Sequence, residues 1–211
     1  KLLLEQPDTT DPMELRHLAI LALMYDTGCR VQELADLTIE SLRIQYKPCS
    51  IKIYGKGRKT RIVPLSEHVV DILAKYMDCY HIDMDIGKKN PLFWNSSRNK
   101  LTRAGITYIL KKYAVMARMS NPNLIPEITS CHQLRHSRAM HLLQSGVNLV
   151  WIRDLLGHST IQTTEIYARA DSKQKREAIE KASENLTPSD VIGEWVDNND
   201  LISWLKGLGK K

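Results

Sequence analysis

The chain has little that would suit a metal site, a membrane span or a nucleotide-hydrolysing loop. Its four cysteines, Cys29, Cys49, Cys79 and Cys131, are scattered, with no C-x-x-C pair among them. Structural zinc needs ligands at close spacing, so that class is excluded and reduced thiols are the expectation. The longest apolar run, Leu18 to Tyr25, falls far short of the roughly 20 residues a membrane helix takes. No signal-peptide pattern is visible, and the expected location is cytoplasmic. Gly55-Lys56-Gly57 lacks the G-x-x-x-x-G-K-[ST] spacing of a phosphate-binding loop, so nucleotide hydrolysis has no support. There is no internal repeat and no low-complexity tract.

What is present describes a globular protein. At 211 residues, 43% hydrophobic and 26% charged, the chain is long enough for one large domain or two small ones around a real core. The formal net charge of +6 leans toward a polyanionic partner, nucleic acid before membrane. The chain opens at Lys1 without an initiator methionine and reads as an excised domain of something longer.

Asp11-Pro12-Met13-Glu14 reads as a helix start, with Asp11 as N-cap, Pro12 in the first turn and Glu14 completing a capping box. Leu15, Leu18, Ala19, Ala22 and Leu23 follow at helical spacing up to Gly28, and Arg30 to Leu37 reads as a short second helix. Over 43–64 the β-formers Ile44, Tyr46, Ile51, Ile53, Ile62 and Val63 predict two or three antiparallel strands, with Gly55-Lys56-Gly57 turning at one tip. Ser66 caps a helix to about Tyr80, a polar loop follows from His81 to Pro91, and Thr102 to Met119 is helical up to Asn121-Pro122-Asn123. Beyond it, helices are expected over His132–Ser145 and Leu149–Leu156, stopped by Gly146 and Gly157, then one opened by a capping box over Ser159–Gln162. The fold class is therefore mainly α with a small antiparallel β-sheet (α+β). Residues 1–170 form one domain and 171–211 a helical, charged tail carrying Trp195 and Trp204.

The residues that could carry chemistry are polar and regularly placed. Arg135 lies 23 residues before His158, which lies nine before Tyr167. With Arg30, Lys56 and His132 they supply a phenol, three cations and two imidazoles, a set suited to displacement at a phosphodiester without a metal. Such a reaction needs the developing charge on the phosphate neutralised and the departing oxygen protonated. Arginine suits the first task, because it stays charged and its fork matches two oxygens; Arg30 and Arg135 are the candidates. Arg30 taken alone reads as a surface salt bridge, and Tyr167 alone as a core or surface aromatic. His132 and Arg135, three apart on one helix, share a face. His136, four from His132, lacks the glutamate of H-E-x-x-H and reads as a supporting hydrogen-bonder rather than a zinc ligand. Between 51 and 64 there are five basic residues, Lys52, Lys56, Arg58, Lys59 and Arg61, and no acidic one. That hairpin fits a DNA backbone, or else a charge-protected edge strand.

The stretch from His132 to Ala168, with H-x-L-R-H, L-G-H-S and a tyrosine after Thr163-Thr164, resembles the signature boxes of the tyrosine recombinase (phage integrase) family. Thr27 to Leu37 is similar to its first arginine box, Ile53 to Leu65 to its lysine hairpin, and Pro91-Leu92-Phe93 with Leu101-Thr102 to a further patch. The likeness covers residues 10–170 or so. It implies that Arg30 and Arg135 clamp the scissile phosphate, Lys56 is general acid to the leaving 5′-oxygen and His132 assists proton transfer. It further implies that His158 hydrogen-bonds the phosphate and Tyr167 forms a 3′-phosphotyrosyl link, with Lys52, Arg58, Lys59 and Arg61 on DNA. No cofactor and no metal are implied; the partners are double-stranded DNA and further protomers in a tetrameric synapse, with no membrane. The family's N-terminal core-binding domain has no room before Asp11, so the expectation is a catalytic domain alone, its tail docking on a neighbouring protomer. Two other readings remain: a type IB topoisomerase, which shares the chemistry, and a non-catalytic helix-turn-helix binder built on Val150–Ser159.

Overall fold

The structure, a computed structural model, describes residues 1–55, 59–158 and 160–170. Lys56, Arg58, Ser159 and the expected tail over 171–211 lie outside the described residues. The described part is mainly helical with one three-stranded antiparallel sheet, ordered β1-β2-β3.

Helix α1 (Pro12–Thr27) is the axis of the fold. Ala19, Ile20, Leu21 and Leu23 are fully buried although they point to different sides, as a helix apolar all round must be. It packs against α3 (Glu67–Cys79) on one side and α4 (Arg103–Ser120) and α5 (Cys131–Gln144) on others. The Asp11 carboxylate accepts from Met13 N–H, and Gly28 closes the helix in the left-handed conformation at φ 57°. Glu14 does not complete the expected capping box. Its carboxylate accepts instead from Asp8 N–H at 2.8 Å and from Lys112 Nζ at 2.6 Å, an ion pair that outcompetes a local bond. Helix α2 (Val31–Ala35) is shorter than expected.

Strands β1 (Leu42–Arg43), β2 (Ser50–Tyr54) and β3 (Thr60–Pro64) form the sheet. Ile44 and Tyr46, expected in a strand, fall in the turn after β1. The register pairs Ile51 with Val63 and Ile53 with Arg61. Directly opposed residues share a face, so Arg61 stands with the buried Ile51, Ile53 and Val63, and Lys52 and Ile62 stand on the other face. Ser66 N–H donates to Asp26 at 2.9 Å, tying the start of α3 to the end of α1.

Among the described residues two apolar clusters result. The larger gathers α1 to α4 and the sheet around Tyr76, Tyr113, Leu92 and Ile106. The smaller holds Ala139, Leu143, Ile152, Leu156 and Tyr167, contributed by α5, α6 (Leu149–Leu156) and α7 (Gln162–Ala170). Helix α5 serves both, through Leu134 in the first and Ala139 in the second. The expected ends of α6 match the observed ones, with Asn148 as N-cap and Gly157 left-handed at φ 66°.

Candidate active site

Arg135 sits where the two clusters meet and is 3% exposed. Its Nη1 donates to the Gly28 carbonyl at 2.6 Å and its Nη2 to the Leu156 carbonyl at 2.7 Å. Both carbonyls belong to helix C-termini, which lack intrahelical partners and carry partial negative charge. Two helix ends thus hold one guanidinium. Burial, with the charge of Arg30 adding to it, lowers the Arg135 pKa to about 10, so the group stays a cation at neutral pH. The left-handed glycines make this geometry possible: a Cβ on Gly28 would lie 2.8 Å from Leu156 Cδ2.

Tyr167 reaches the same place from α7 and is 4% exposed. Its Oη lies 2.7 Å from His136 Nδ1, and His136 Nε2 lies 2.6 Å from His132 Nε2. The three side chains form one hydrogen-bonded row from α7 to the first turn of α5. Helix α5 starts at a capping box in which Ser130 accepts from Gln133 N–H and Gln133 accepts from Ser130 N–H. That fixes the phase of His132, Arg135 and His136. Burial raises the Tyr167 pKa, with the Arg135 charge opposing. Burial, then His132 and Arg135, lowers that of His136.

His158 follows Gly157, with Nδ1 3.0 Å from the hydroxyl of Thr164, a fully buried residue. Burial first, then the charges of Arg135 and Arg30, lowers its pKa to about 4, so the ring is neutral near pH 7. A neutral imidazole still offers one N–H to an anion.

Arg30 caps α2 with its side chain 46% exposed, and its Nη1 donates to Glu33 at 2.9 Å. Glu33, which the sequence analysis did not single out, gathers this corner. Its carboxylate also accepts from Arg30 N–H at 2.9 Å and from Arg61 Nη1 at 3.2 Å and Nη2 at 2.7 Å. Burial works to raise the Glu33 pKa, but the bonds from Arg61 and Arg30 outweigh it and hold it below the usual range.

Arg61, expected among the DNA contacts, is turned inward in this structure. Its Nε donates to the Leu155 carbonyl at 2.8 Å, its Nη atoms bind Glu33, and its side chain is only 12% exposed. The sheet register turns it inward, where it ties β3 to the end of α6. Lys59 is exposed, and Lys52 lies with Nζ 5.1 Å from the centre of the Tyr54 ring on the outward face. Of the six expected catalytic residues, Arg30, His132, Arg135, His158 and Tyr167 are described, and the electrostatic influences just given join them in one neighbourhood. Lys56 is not described. Among the described residues no three His, Cys, Asp or Glu side chains are grouped so as to hold a metal.

The described residues thus form a helical domain with a small sheet, a buried arginine held at two helix ends and a tyrosine on the last described helix. The phage integrase family model matches residues 1–174, and the chain belongs to that family. It is 38% identical over 178 residues to the tyrosine recombinase XerD of Staphylococcus haemolyticus, covering 83% of this chain and 57% of that one. The XerD of Haemophilus ducreyi is 35% identical over 180 residues, 85% of this chain and 58% of that one. The chain thus spans little over half the length of these curated relatives. Among solved structures, the XerH recombinase bound to palindromic difH substrate superimposes with a TM-score of 0.69 at 26% identity, over 86% of this chain and 49% of that one. The XerA recombinase gives 0.66 at 27% identity, over 90% and 63%.

Proposed function

We propose that this chain is the catalytic part of a site-specific DNA recombinase, which cleaves and rejoins strands through a 3′-phosphotyrosyl intermediate. The observation that carries the reading is the meeting of Tyr167, His158 and the Arg135 cation at the ends of α1 and α6. Family membership, and a XerH relative solved on its DNA substrate, support double-stranded DNA as the partner. Arg135, with Arg30 beside it, neutralises the non-bridging oxygens of the scissile phosphate. His158, in the tautomer that accepts from Thr164 through Nδ1, adds a third donor through Nε2–H. Tyr167 Oη attacks the phosphorus, and Lys56, on the resemblance of its hairpin, protonates the 5′-oxygen as it leaves. Assembly with further protomers in a tetrameric synapse belongs to the same reading. A plain helix-turn-helix binder would leave Arg30, Lys56 and His132 without a task.

The test is a nicked suicide substrate. Wild-type protein is expected to give an SDS-stable adduct whose peptide maps to Tyr167, and Tyr167→Phe to bind DNA without forming it. An adduct of undiminished yield from Tyr167→Phe overturns the assignment. Lys56→Ala is expected to slow cleavage by about 10²–10⁴ and to recover with sulfur at the 5′-bridging position, which leaves without a proton.

A further inference from the structure

We propose that Asp26 and Arg138 form a positioning pair for strand cleavage: by locking the end of α1 to α5 they set the separation of Arg30 and Arg135, so that both guanidiniums meet one phosphate. The proposal rests on the strand-transfer reading above and gives a role to two residues which that reading leaves idle.

The contacts join two short stretches of chain. Arg138 lies three residues beyond Arg135 on α5, so the two side chains leave one face of that helix. Its Nε donates to the Asp26 carbonyl at 3.0 Å, and its Nη2 donates to the Asp26 carboxylate at 3.0 Å. Arg135 donates to the Gly28 carbonyl, two residues further along. Two arginines thus grip two carbonyls at the end of α1, where a helix leaves its acceptors without intrahelical donors. The Asp26 side chain is 8% exposed, and its second carboxylate oxygen accepts from Ser66 N–H at 2.9 Å, where the chain passes from β3 into α3. The Arg138 guanidinium lies 5.5 Å from the centre of the Tyr25 ring. Its stem packs against the same helix end, since a Cβ on Gly28 would lie 3.7 Å from Arg138 Cγ. One buried carboxylate therefore joins α1, α5 and the start of α3.

The joint stands next to the residues whose spacing matters. At Gly28 the chain leaves the helix, and Arg30 follows in extended backbone, φ −72° and ψ 150°, as the cap of α2. The Arg30 side chain is 46% exposed, so its place over a phosphate depends on where the backbone at 28–30 stands. Arg135 touches that backbone from α5 through one hydrogen bond, to Gly28 O. A single bond to a carbonyl is a hinge, and a second link from the next turn of α5 removes the swing about it. Two guanidiniums neutralise one phosphate only at a fixed separation, and a misplacement of about 1 Å can cost about 10² in rate. Stability is a separate matter, because α1 is held along its length by the larger apolar cluster. What Asp26 and Arg138 add is the placement of its end.

The experiment is single-turnover adduct formation on the nicked suicide substrate, at saturating DNA, by Arg138→Met and Asp26→Asn. Methionine keeps an apolar stem against Gly28 and removes the guanidinium. Asparagine keeps an acceptor for Ser66 N–H and removes the charge. Urea denaturation first fixes a temperature at which each variant is folded. Arg138→Met is expected to slow adduct formation by about 10², and Asp26→Asn by less. The Kd for DNA should hold, since affinity comes from phosphate contacts spread over the interface. Ile20→Val, which loosens α1 at a fully buried position away from its end, should keep the wild-type rate. A double-mutant cycle supplies a readout that stability does not move. In Arg30→Ala the separation of the two arginines no longer matters, so adding Arg138→Met should cost far less than it does alone. Folded Arg138→Met cleaving at the wild-type rate, a loss confined to Kd, or defects that multiply with Arg30→Ala each overturn the proposal. If Arg138→Met does not fold, Asp26→Asn is judged by the same criteria, and failure of both to fold makes the pair a structural joint and refutes positioning. Wild-type protein that forms no adduct refutes strand transfer itself. A wild-type adduct at Tyr167 beside unimpaired variants refutes only the positioning pair.

Discussion

At the scale of residues, the Glu33 carboxylate decides how the basic corner behaves. It is 6% exposed and faces two arginines. Glu33→Gln leaves the Arg61 guanidinium buried without a counter-charge, a change that typically costs about 3–5 kcal/mol. The urea midpoint is expected to drop accordingly, and single-turnover cleavage to slow because Arg30 loses its anchor. Salt titrations separate the basic residues of the hairpin. Lys59→Ala is expected to flatten the plot of log K against log salt by about one unit, whereas Arg61→Ala lowers stability and leaves the slope alone. The inward turn of Arg61 was legible, since the alternation of Ile51, Ile53 and Val63 fixes which side each strand residue takes; treating five basic residues as one set concealed it. Glu33 was not legible, because its partner Arg61 lies 28 residues away on β3. The spacing of His132 and His136 gave their common face but could not give Tyr167, 31 residues on from His136, as the third member. Acid should weaken the fold through two other histidines. Burial lowers the pKa values of His17 and His158 to about 4 from 6.5. Between those values the unfolded chain binds protons that the folded one refuses, so stability is full above pH 6.5 and falls as pH drops toward 4. Urea denaturation at stepped pH checks this, and His158→Asn should shrink the fall.

At the scale of elements, the chain's helices were legible where a cap and a glycine bracket them. Asn148 and Gly157 bound α6, and Asp11 and Gly28 bound α1, as local chemistry dictates. The strands were less so, because β1 is two residues long and its pairing to β2, not the β-propensity of Ile44 and Tyr46, sets where it ends. The glycines that stop α1 and α6 also shape the site. Gly157→Ala would place a Cβ 2.9 Å from Arg61 Nη1 at a φ of 66°. The left-handed backbone alone costs a side chain about 1–2 kcal/mol, and the contact adds to it by pushing Arg61 from Glu33. Thermal unfolding should show a loss at or above that range, with cleavage impaired further because His158 is the next residue. Gly157→Asn, better tolerated in this conformation, should relieve only part of it.

At the scale of the whole described molecule, the two apolar clusters differ in size, and Tyr167 belongs to the smaller. A five-residue core resists opening less than the one around α1, so amides of α6 and α7 are expected to exchange with solvent through a partial opening. Those of α1 should exchange only by global unfolding. Native-state hydrogen exchange in rising urea checks this, and equal slopes for both sets would mean a single cooperative unit. Leu156→Ala, at a fully buried position, should cost about 2–5 kcal/mol and widen the gap between the two sets. The anchoring of Arg135 has a consequence for how such a chain can vary. Its two partners are main-chain carbonyls, Gly28 O and Leu156 O, and no point substitution deletes a carbonyl. Inserting or deleting one residue within the last turn of α1 or α6 would swing the terminal carbonyl by about 100°, since a turn takes about 3.6 residues. The arginine's seat is therefore forgiving of spelling and intolerant of length: drift can rewrite the side chains around it, while indels are confined to segments, such as 81–91, that lie outside both helices.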